Sequence, residues 1–192
     1  MSDELTPAAA LAQLYEGNAR FAAGNPLAPN RDLDRLRAVA PGQKPFAAFL
    51  GCADSRVPVE IIFDQGFGDL FVTRIAGNVT TPECTGSLEF AAIVLGVKVL
   101  YVLGHTNCGA VTAAVQGDPV PGQISVLFQH LRPAVKAANG NVPAAIVENV
   151  KAQAETLSEA SPVLARLIQD GKLIVAGGVY DLATGRVVPV EL

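Results

Sequence analysis

Apolar residues occur along the chain in four short continuous runs, separated by longer amphipathic stretches. The runs cover residues 45–51, 69–75, 98–104 and 172–182. Runs of this length without polar alternation are typical of strands that are buried on both faces, as in a parallel sheet. Because helical patterns lie between them, we predict an α/β protein with a central, mostly parallel sheet of about four parallel strands flanked by helices.

The first part of the chain is predicted to be helical but not part of the sheet. Thr6 and Pro7 form a typical helix start, with a threonine cap followed by proline. A second, short helix is predicted near 32–39, so residues 1–44 are interpreted as an N-terminal helical arm. Since the first helix lies far from the next periodic element, we expect it to pack on a partner subunit.

Later segments complete the predicted architecture. Helices are expected between the third and fourth strands, over 121–138 and 142–169. The sequence Ala183–Gly185 predicts a turn, and therefore a C-terminal antiparallel strand at the edge of the sheet. With residues 45–192 as the α/β core and 1–44 as the arm, the 192 residues are predicted to form a single domain.

Composition narrows the possible partners. Hydrophobic residues make up 50% of the chain, charged residues 17%, and the net charge is −4 without a basic cluster. Nucleic acid and anionic membranes are therefore not expected partners. The first ten residues lack the basic and apolar regions of a secretory signal, and three cysteines suit reduced thiols better than a disulfide framework. These features predict a cytoplasmic protein.

Chemically active side chains follow two of the predicted strands. Cys52, Asp54 and Arg56 come directly after the first, and His105 and Cys108 come after the third. In open α/β sheets, sites form at the carboxyl ends of the strands. Cys52 with its neighbours could be an activated nucleophile, half of a metal site, or an ion pair beside a bystander thiol. Two thiols, an imidazole and a carboxylate together favour the metal site, and the donor set is one that zinc prefers.

At these motifs the sequence resembles the β-class carbonic anhydrases. The resemblance rests on "GCADSRV" and "GHTNCGAV", and it extends to "EGNARF", "EIIFDQGFGDLFVTRIAGN" and "GGVYDLATG". It implies one Zn²⁺ per chain bound by Cys52, His105 and Cys108, with Asp54 as a fourth ligand in a closed, inactive form. It also implies reversible hydration of CO₂ to bicarbonate and a proton by zinc-bound hydroxide, and a homodimer or dimer of dimers (a homotetramer).

The same resemblance assigns the remaining site residues. Asp54 and Arg56 are expected to form the catalytic pair that gates and orients the nucleophile. Four positions correspond to substrate-binding residues of the family, and Gln43 is expected to act from the neighbouring subunit: Gln43, Phe71, Phe90 and Gly109. Phe90 occupies a position where many relatives carry tyrosine, so one polar contact of the family is missing.

Two other functions stay open at this point. A hydrolase of COS or CS₂ could use the same zinc ligands, because zinc-hydroxide chemistry can also attack sulfur-bearing analogues of CO₂. A non-catalytic, zinc-stabilised assembly protein would have a closed site with four protein ligands. Arg56 disfavours the assembly protein, since a purely structural site has no need of an arginine that competes for Asp54.

Overall fold

The computed structural model describes residues 5–192, which form eight α-helices, five strands and one 3₁₀ turn at Ala76–Asn78. The helices are α1 (Pro7–Ala22), α2 (Leu33–Val39), α3 (Val59–Ile62), α4 (Pro82–Ile93), α5 (Gly109–Gln116), α6 (Ile124–Ala137), α7 (Val142–Ala160) and α8 (Pro162–Gln169). The strands are β1 (Ala47–Gly51), β2 (Leu70–Arg74), β3 (Val99–His105), β4 (Ile174–Tyr180) and β5 (Val187–Val190).

The five strands form one sheet in the order β2-β1-β3-β4-β5. The first four are parallel to their neighbours, and β5 pairs antiparallel with β4 at the edge. Every residue of β1 and β3 is buried, as their uninterrupted apolar sequences predict. The predicted α/β class, the parallel sheet and the antiparallel edge strand are therefore confirmed.

Helices cover both faces of the sheet. Along β1, Phe49 points to one face, and Ala48 and Leu50 point to the other, because successive side chains of a strand alternate. On the first face Phe49 packs against Phe63 and Tyr101, with ring centroids 4.9 Å and 5.3 Å apart. The second face is covered by apolar residues of α4, α7 and α8.

Helix α1 packs on the sheet of its own chain, and the expected contact with a partner subunit stays a prediction. Ala10 and Leu14 are fully buried in the cluster on the first face of the sheet. Asn18 fixes the helix further: its amide donates to the carbonyl oxygen of Gly185 at 3.0 Å and its oxygen accepts from the Val187 N–H at 2.8 Å. The long connection of residues 23–46 leads the chain from α1 to the sheet. Helix α1 therefore lies next to the sheet although it is distant from the first strand in sequence.

The predicted helix over 142–169 is broken into α7 and α8. Ser161 adopts extended backbone angles between them, and its hydroxyl accepts the Leu164 N–H as a cap for α8. The physical reason is Pro162, which lacks an N–H and disfavours helical angles in the residue before it. The short α3 begins after Pro58 and ends after one turn, before Asp64, whose left-handed φ of 50° does not continue a helix.

Candidate metal centre

The carboxyl ends of β1 and β3 bring the predicted ligands together. The two strands are adjacent and parallel, with Gly51 paired to Leu103, so both strands end at the same edge of the sheet. Cys52 follows the last residue of β1, and His105 is the last residue of β3. Cys108 caps the start of α5 after a turn through Asn107, which has a left-handed φ of 54°.

The ligand atoms of Cys52, His105 and Cys108 all lie within 4.8 Å of one another. All three residues are buried, with at most 4% of their surface exposed. Zinc bonds of about 2.0 to 2.3 Å in a tetrahedron require ligand atoms about 4 Å apart, so a small adjustment would bring the three groups onto one ion. Two thiols and one imidazole are also the donors that zinc prefers over Mg²⁺ or Ca²⁺.

His105 is held in the form that a metal ligand needs. Its Nδ1 lies 2.9 Å from the carbonyl oxygen of Thr106. A carbonyl only accepts, so Nδ1 carries the proton and Nε2 presents a lone pair. Within residues 5–192, Nε2 is buried without a hydrogen-bond partner. A buried nitrogen of this kind is costly unless something binds it, and a metal ion fits.

The thiol of Cys52 lies in surroundings that favour its thiolate. Backbone N–H groups of Gly77 and Asp54 donate to its Sγ at 3.3 Å and 3.4 Å. Hydrogen bonds from the Cys108 thiol and from these two amides lower the pKa of Cys52, and they outweigh the opposing effect of burial. The pKa of Cys108 is raised, because its S–H donates a hydrogen bond to the Cys52 thiolate and because the residue is buried.

Asp54 stands beside the three ligands but is paired with Arg56. Arg56 Nε and Nη2 donate to the two carboxylate oxygens at 2.9 Å and 2.7 Å, and the Arg56 backbone N–H adds a third bond at 2.9 Å. The guanidinium holds the pKa of Asp54 well below its usual range. Asp54 Oδ2 nevertheless lies only 3.8 Å from His105 Nε2. The carboxylate is therefore ionised and close enough to reach a metal held by His105.

Residues from neighbouring elements support the ligand loop. Arg74, the last residue of β2, donates to the carbonyl oxygens of both Cys52 and Asp54. Gly77 contributes its N–H to Cys52 from the 3₁₀ turn after β2. The sequence patterns above assign no role in the site to Gly77 and Asn78. The Gly-Asn pair, which favours left-handed backbone angles, was the available signal of a special turn.

The four positions assigned to the substrate do not all lie near this cluster within one chain. Gly109 is the first residue of α5, directly after Cys108. Gln43 precedes β1 whereas Cys52 follows it, and a five-residue strand spans about 17 Å. Phe71 pairs with Ala48, three residues before both strands end, and its ring lies 6.4 Å from that of the half-exposed Phe90. Gln43, Phe71 and Phe90 are therefore separated from their own chain's ligands.

Comparison with known proteins identifies the family. Residues 47–187 match the family model of carbonic anhydrase. Carbonic anhydrase 2 of Mycobacterium tuberculosis is 40% identical over 190 residues, covering 95% of this chain and 92% of the relative. The carbonic anhydrase of Mycolicibacterium smegmatis is 38% identical and covers 94% and 92%.

Solved structures give the class within the family. A tetrameric β-carbonic anhydrase of Sordaria macrospora superposes with a TM-score of 0.76 at 26% identity, over 82% of this chain and 86% of that one. The Coccomyxa β-carbonic anhydrase, solved with acetazolamide, gives 0.74 at 28% identity over 98% and 87%.

The chain belongs to the carbonic anhydrase family, and its fold is that of the β class. It is a carbonic anhydrase enzyme, and the predicted dependence on zinc is confirmed. Among the helices of residues 5–192, none is both long and apolar enough to cross a membrane.

Proposed function

We propose that this chain catalyses the reversible hydration of CO₂ to bicarbonate and a proton, with Cys52, His105 and Cys108 as zinc ligands. The observation that carries the proposal is the set of three buried ligand atoms within 4.8 Å, beside the ionised Asp54–Arg56 pair. Bound zinc lowers the pKa of a coordinated water to about 7, which supplies a hydroxide nucleophile at neutral pH. The residues around the ligands then determine whether that chemistry is accessible.

Asp54 and Arg56 are proposed to gate the site. A tetrahedral site with four protein ligands leaves no position for solvent. While Arg56 holds both oxygens of Asp54, three protein ligands remain and the fourth position is open. An ionised carboxylate only accepts hydrogen bonds, so Asp54 in this position accepts the hydrogen of the nucleophile and directs an oxygen lone pair towards CO₂. Release from Arg56 would let Asp54 bind the metal and close the site.

The substrate pocket is proposed to be completed by a second subunit. Gln43, Phe71 and Phe90 lie away from their own chain's ligands, so they serve a pocket only across an interface between two copies. Gly109 serves its own chain, through an N–H at the start of α5 that is suited to a bicarbonate oxygen. A homodimer or dimer of dimers follows, and the Sordaria macrospora relative is described as tetrameric.

The compartment is also a proposal. Cys52, Cys84 and Cys108 are all free thiols in the described part of the chain. Two of them must stay reduced to bind zinc, which favours a reducing cytoplasm.

Stopped-flow CO₂ hydration with a pH indicator tests the proposal, measured from about pH 6.5 to pH 9 together with the zinc content. We expect hydration, one zinc per chain, and higher activity at alkaline pH, because closing the site consumes a proton. A protein that holds one zinc per chain but shows no hydration at any pH would refute the enzyme assignment and favour the assembly protein. Running COS in parallel distinguishes the hydrolase, which would turn over COS faster than CO₂.

The Asp54→Asn variant tests the gate. The amide keeps the size of the carboxylate but cannot accept from the nucleophile in the same way or pair ionically with Arg56. We expect full zinc content and CO₂ hydration lowered by at least about tenfold. Near-normal hydration in Asp54→Asn would exclude this role of Asp54 without affecting the zinc assignment.

A further inference from the structure

The 3₁₀ turn after β2 contacts the ligand Cys52 from outside the ligand loop. The Gly77 N–H donates to Cys52 Sγ at 3.3 Å. The other backbone donor to this sulfur, the Asp54 N–H, belongs to the same short loop as Cys52 and moves with it. Gly77 is therefore the backbone donor that connects this sulfur to a different element of the fold.

This turn has a backbone conformation that needs support from its surroundings. Gly77 has φ 75° and Asn78 has φ 42°, so two consecutive residues adopt left-handed angles. A side chain at position 77 would also be strained, since a Cβ there would lie 3.3 Å from Ala110 Cβ and from Leu131 Cδ1. Conformations of this kind persist where neighbouring groups hold them.

Two buried amides of α7 bond to the turn and to Thr80, which follows it. Asn149 Nδ2 donates to the carbonyl oxygen of Gly77 at 2.9 Å. Gln153 Oε1 accepts from the Thr80 N–H at 2.6 Å, and Gln153 Nε2 donates to Asn149 Oδ1 at 3.0 Å. The two residues are four positions apart, so they share one face of the helix. Only 1% of Asn149 and 4% of Gln153 is exposed.

The location of these amides is unusual for α7. The other buried residues of this helix are all apolar and belong to the core: Ala145, Ile146, Val150, Ala154 and Leu157. Burying an amide in such surroundings is unfavourable unless its hydrogen bonds are made. Here every described bond of the pair goes to the turn or to the other amide.

We propose that Asn149 and Gln153 are positioning residues that set the metal ligand Cys52 through the Gly77 turn. The link runs from the amide of Asn149 to the Gly77 carbonyl, and from the N–H of Gly77 to the sulfur of Cys52. The proposal rests on the zinc site of the proposed function. It predicts that the properties of the Cys52–metal bond depend on a helix that contributes no ligand.

The test compares Asn149→Leu with Asn18→Leu in the full chain loaded with Co²⁺ or Zn²⁺. Leucine keeps the branched shape of asparagine and removes its hydrogen bonds. Asn18 is the matched control, because it is a buried asparagine whose bonds go to Ile62, Gly185 and Val187, away from the metal centre. Both substitutions are expected to lower the melting temperature.

Only Asn149→Leu is expected to change the metal centre. Without the Asn149 bond the Gly77 turn is held less firmly, and its N–H···S bond to Cys52 weakens. A weaker bond raises the energy of the sulfur lone pairs, so the thiolate-to-cobalt absorption band should move to longer wavelength. Zinc transfer to a chelator should become about tenfold faster, the lower end of the effect of lost outer-shell partners. Both readouts are independent of CO₂ turnover, so they stand whether or not the hydratase assignment does.

Equal spectra and equal zinc release in the two variants would overturn the proposal, since Asn149 would then only stabilise the fold. If Asn149→Leu does not fold, Gln153→Met provides the second variant. It removes the acceptor for Thr80 and the donor to Asn149 but leaves the Asn149–Gly77 bond. A smaller shift in the same direction supports the proposal, and an unchanged spectrum in folded Gln153→Met contradicts it.

Discussion

Two aspartates that lie ten residues apart in sequence, Asp54 and Asp64, each pair with an arginine, and the two pairs have opposite surroundings. Asp64 is completely buried at the end of α3, and no part of its side chain is exposed. It accepts from Arg20 Nε at 2.7 Å and from the backbone N–H groups of Leu27 and Ala28 at 2.9 Å and 2.8 Å, with Arg31 at 3.6 Å. These donors come from α1 and the arm, 33 to 44 residues away.

Within residues 5–192, the carboxylate of Asp54 accepts hydrogen bonds from one residue only. All three donors belong to Arg56, two positions further along the chain, and 53% of the Arg56 side chain is exposed. Rotation of the Asp54 side chain would break bonds within one loop and leave the packing of the core unchanged. Asp64 could not rotate without releasing α1 and the arm from the sheet.

The comparison shows that an ion pair alone does not reveal whether a carboxylate serves the fold or the chemistry. Both carboxyl groups have lowered pKa values because of an arginine. What distinguishes them is the sequence distance of their donors and their burial. Asp64 joins distant parts of the chain, whereas Asp54 is attached locally and faces the metal ligands.

The largest expected effect is that of Asp64→Ala on stability. Removing one partner of a buried, multiply bonded pair leaves Arg20 and two backbone N–H groups without an acceptor. We expect the free energy of unfolding to fall by about 3 kcal/mol, measured by urea denaturation of the zinc-loaded protein. The matched control is Asp34→Ala, which removes the exposed pair of Asp34 with Arg37 and should leave the stability unchanged within error. If Asp64→Ala lowers the free energy of unfolding as little as the control does, the structural role of Asp64 is contradicted.

The next effect is that of Arg56→Lys on activity. Lysine keeps the charge but cannot bind both oxygens of Asp54 at once, so the carboxylate is oriented less firmly and the closed site becomes more populated. We expect CO₂ hydration to fall by about fivefold at neutral pH, with an unchanged melting temperature. The matched control is Arg37→Lys, which alters an exposed ion pair remote from the site. It should change neither CO₂ hydration nor the melting temperature. Activity equal to the parent protein would show that the two-pronged contact is dispensable.

The contrast also shows which parts of the molecule sequence reasoning can reach. The ligands were predictable, because Cys52, His105 and Cys108 each lie within three residues of a strand end, and the apolar runs located those ends. The parallel sheet followed from the same runs. The break at Ser161 could have been predicted from Pro162, since its cause is local.

Contacts over long sequence distances were not predictable from pattern. Asn149 and Gln153 read as ordinary polar positions of an amphipathic helix, and their partners Gly77 and Thr80 lie 72 and 73 residues earlier. Asp64 likewise reads as a polar residue ending a short helix. The pattern of polar positions shows which side chains are polar, but it does not show which distant residue supplies their hydrogen-bond partner. Buried and exposed polar positions therefore look alike in sequence.

The smallest effect is a pH dependence that separates the two carboxylates. Burial alone raises the pKa of Asp64, but the hydrogen bonds from Arg20, Leu27 and Ala28 outweigh it and lower the pKa. A carboxyl group with a lower pKa in the folded state stabilises the fold above its unfolded pKa of about 3.9, and this contribution is lost as the pH falls through the folded value.

The stability gap is the difference in free energy of unfolding between the parent protein and Asp64→Asn. We expect this gap to stay constant from neutral pH to about pH 5 and to narrow below about pH 4. This difference is informative because both proteins have the same metal ligands and lose stability in acid equally through them. That shared loss cancels when one free energy of unfolding is subtracted from the other. For Asp54→Asn, the pair is partly exposed and local, so its gap should be small at every pH, as measured by urea midpoints at each pH. A gap for Asp64→Asn that stays constant or widens in acid would mean that the charge of Asp64 does not stabilise the fold. The buried carboxylate would then act through its shape and neutral hydrogen bonds, and the distinction from Asp54 would rest on burial alone.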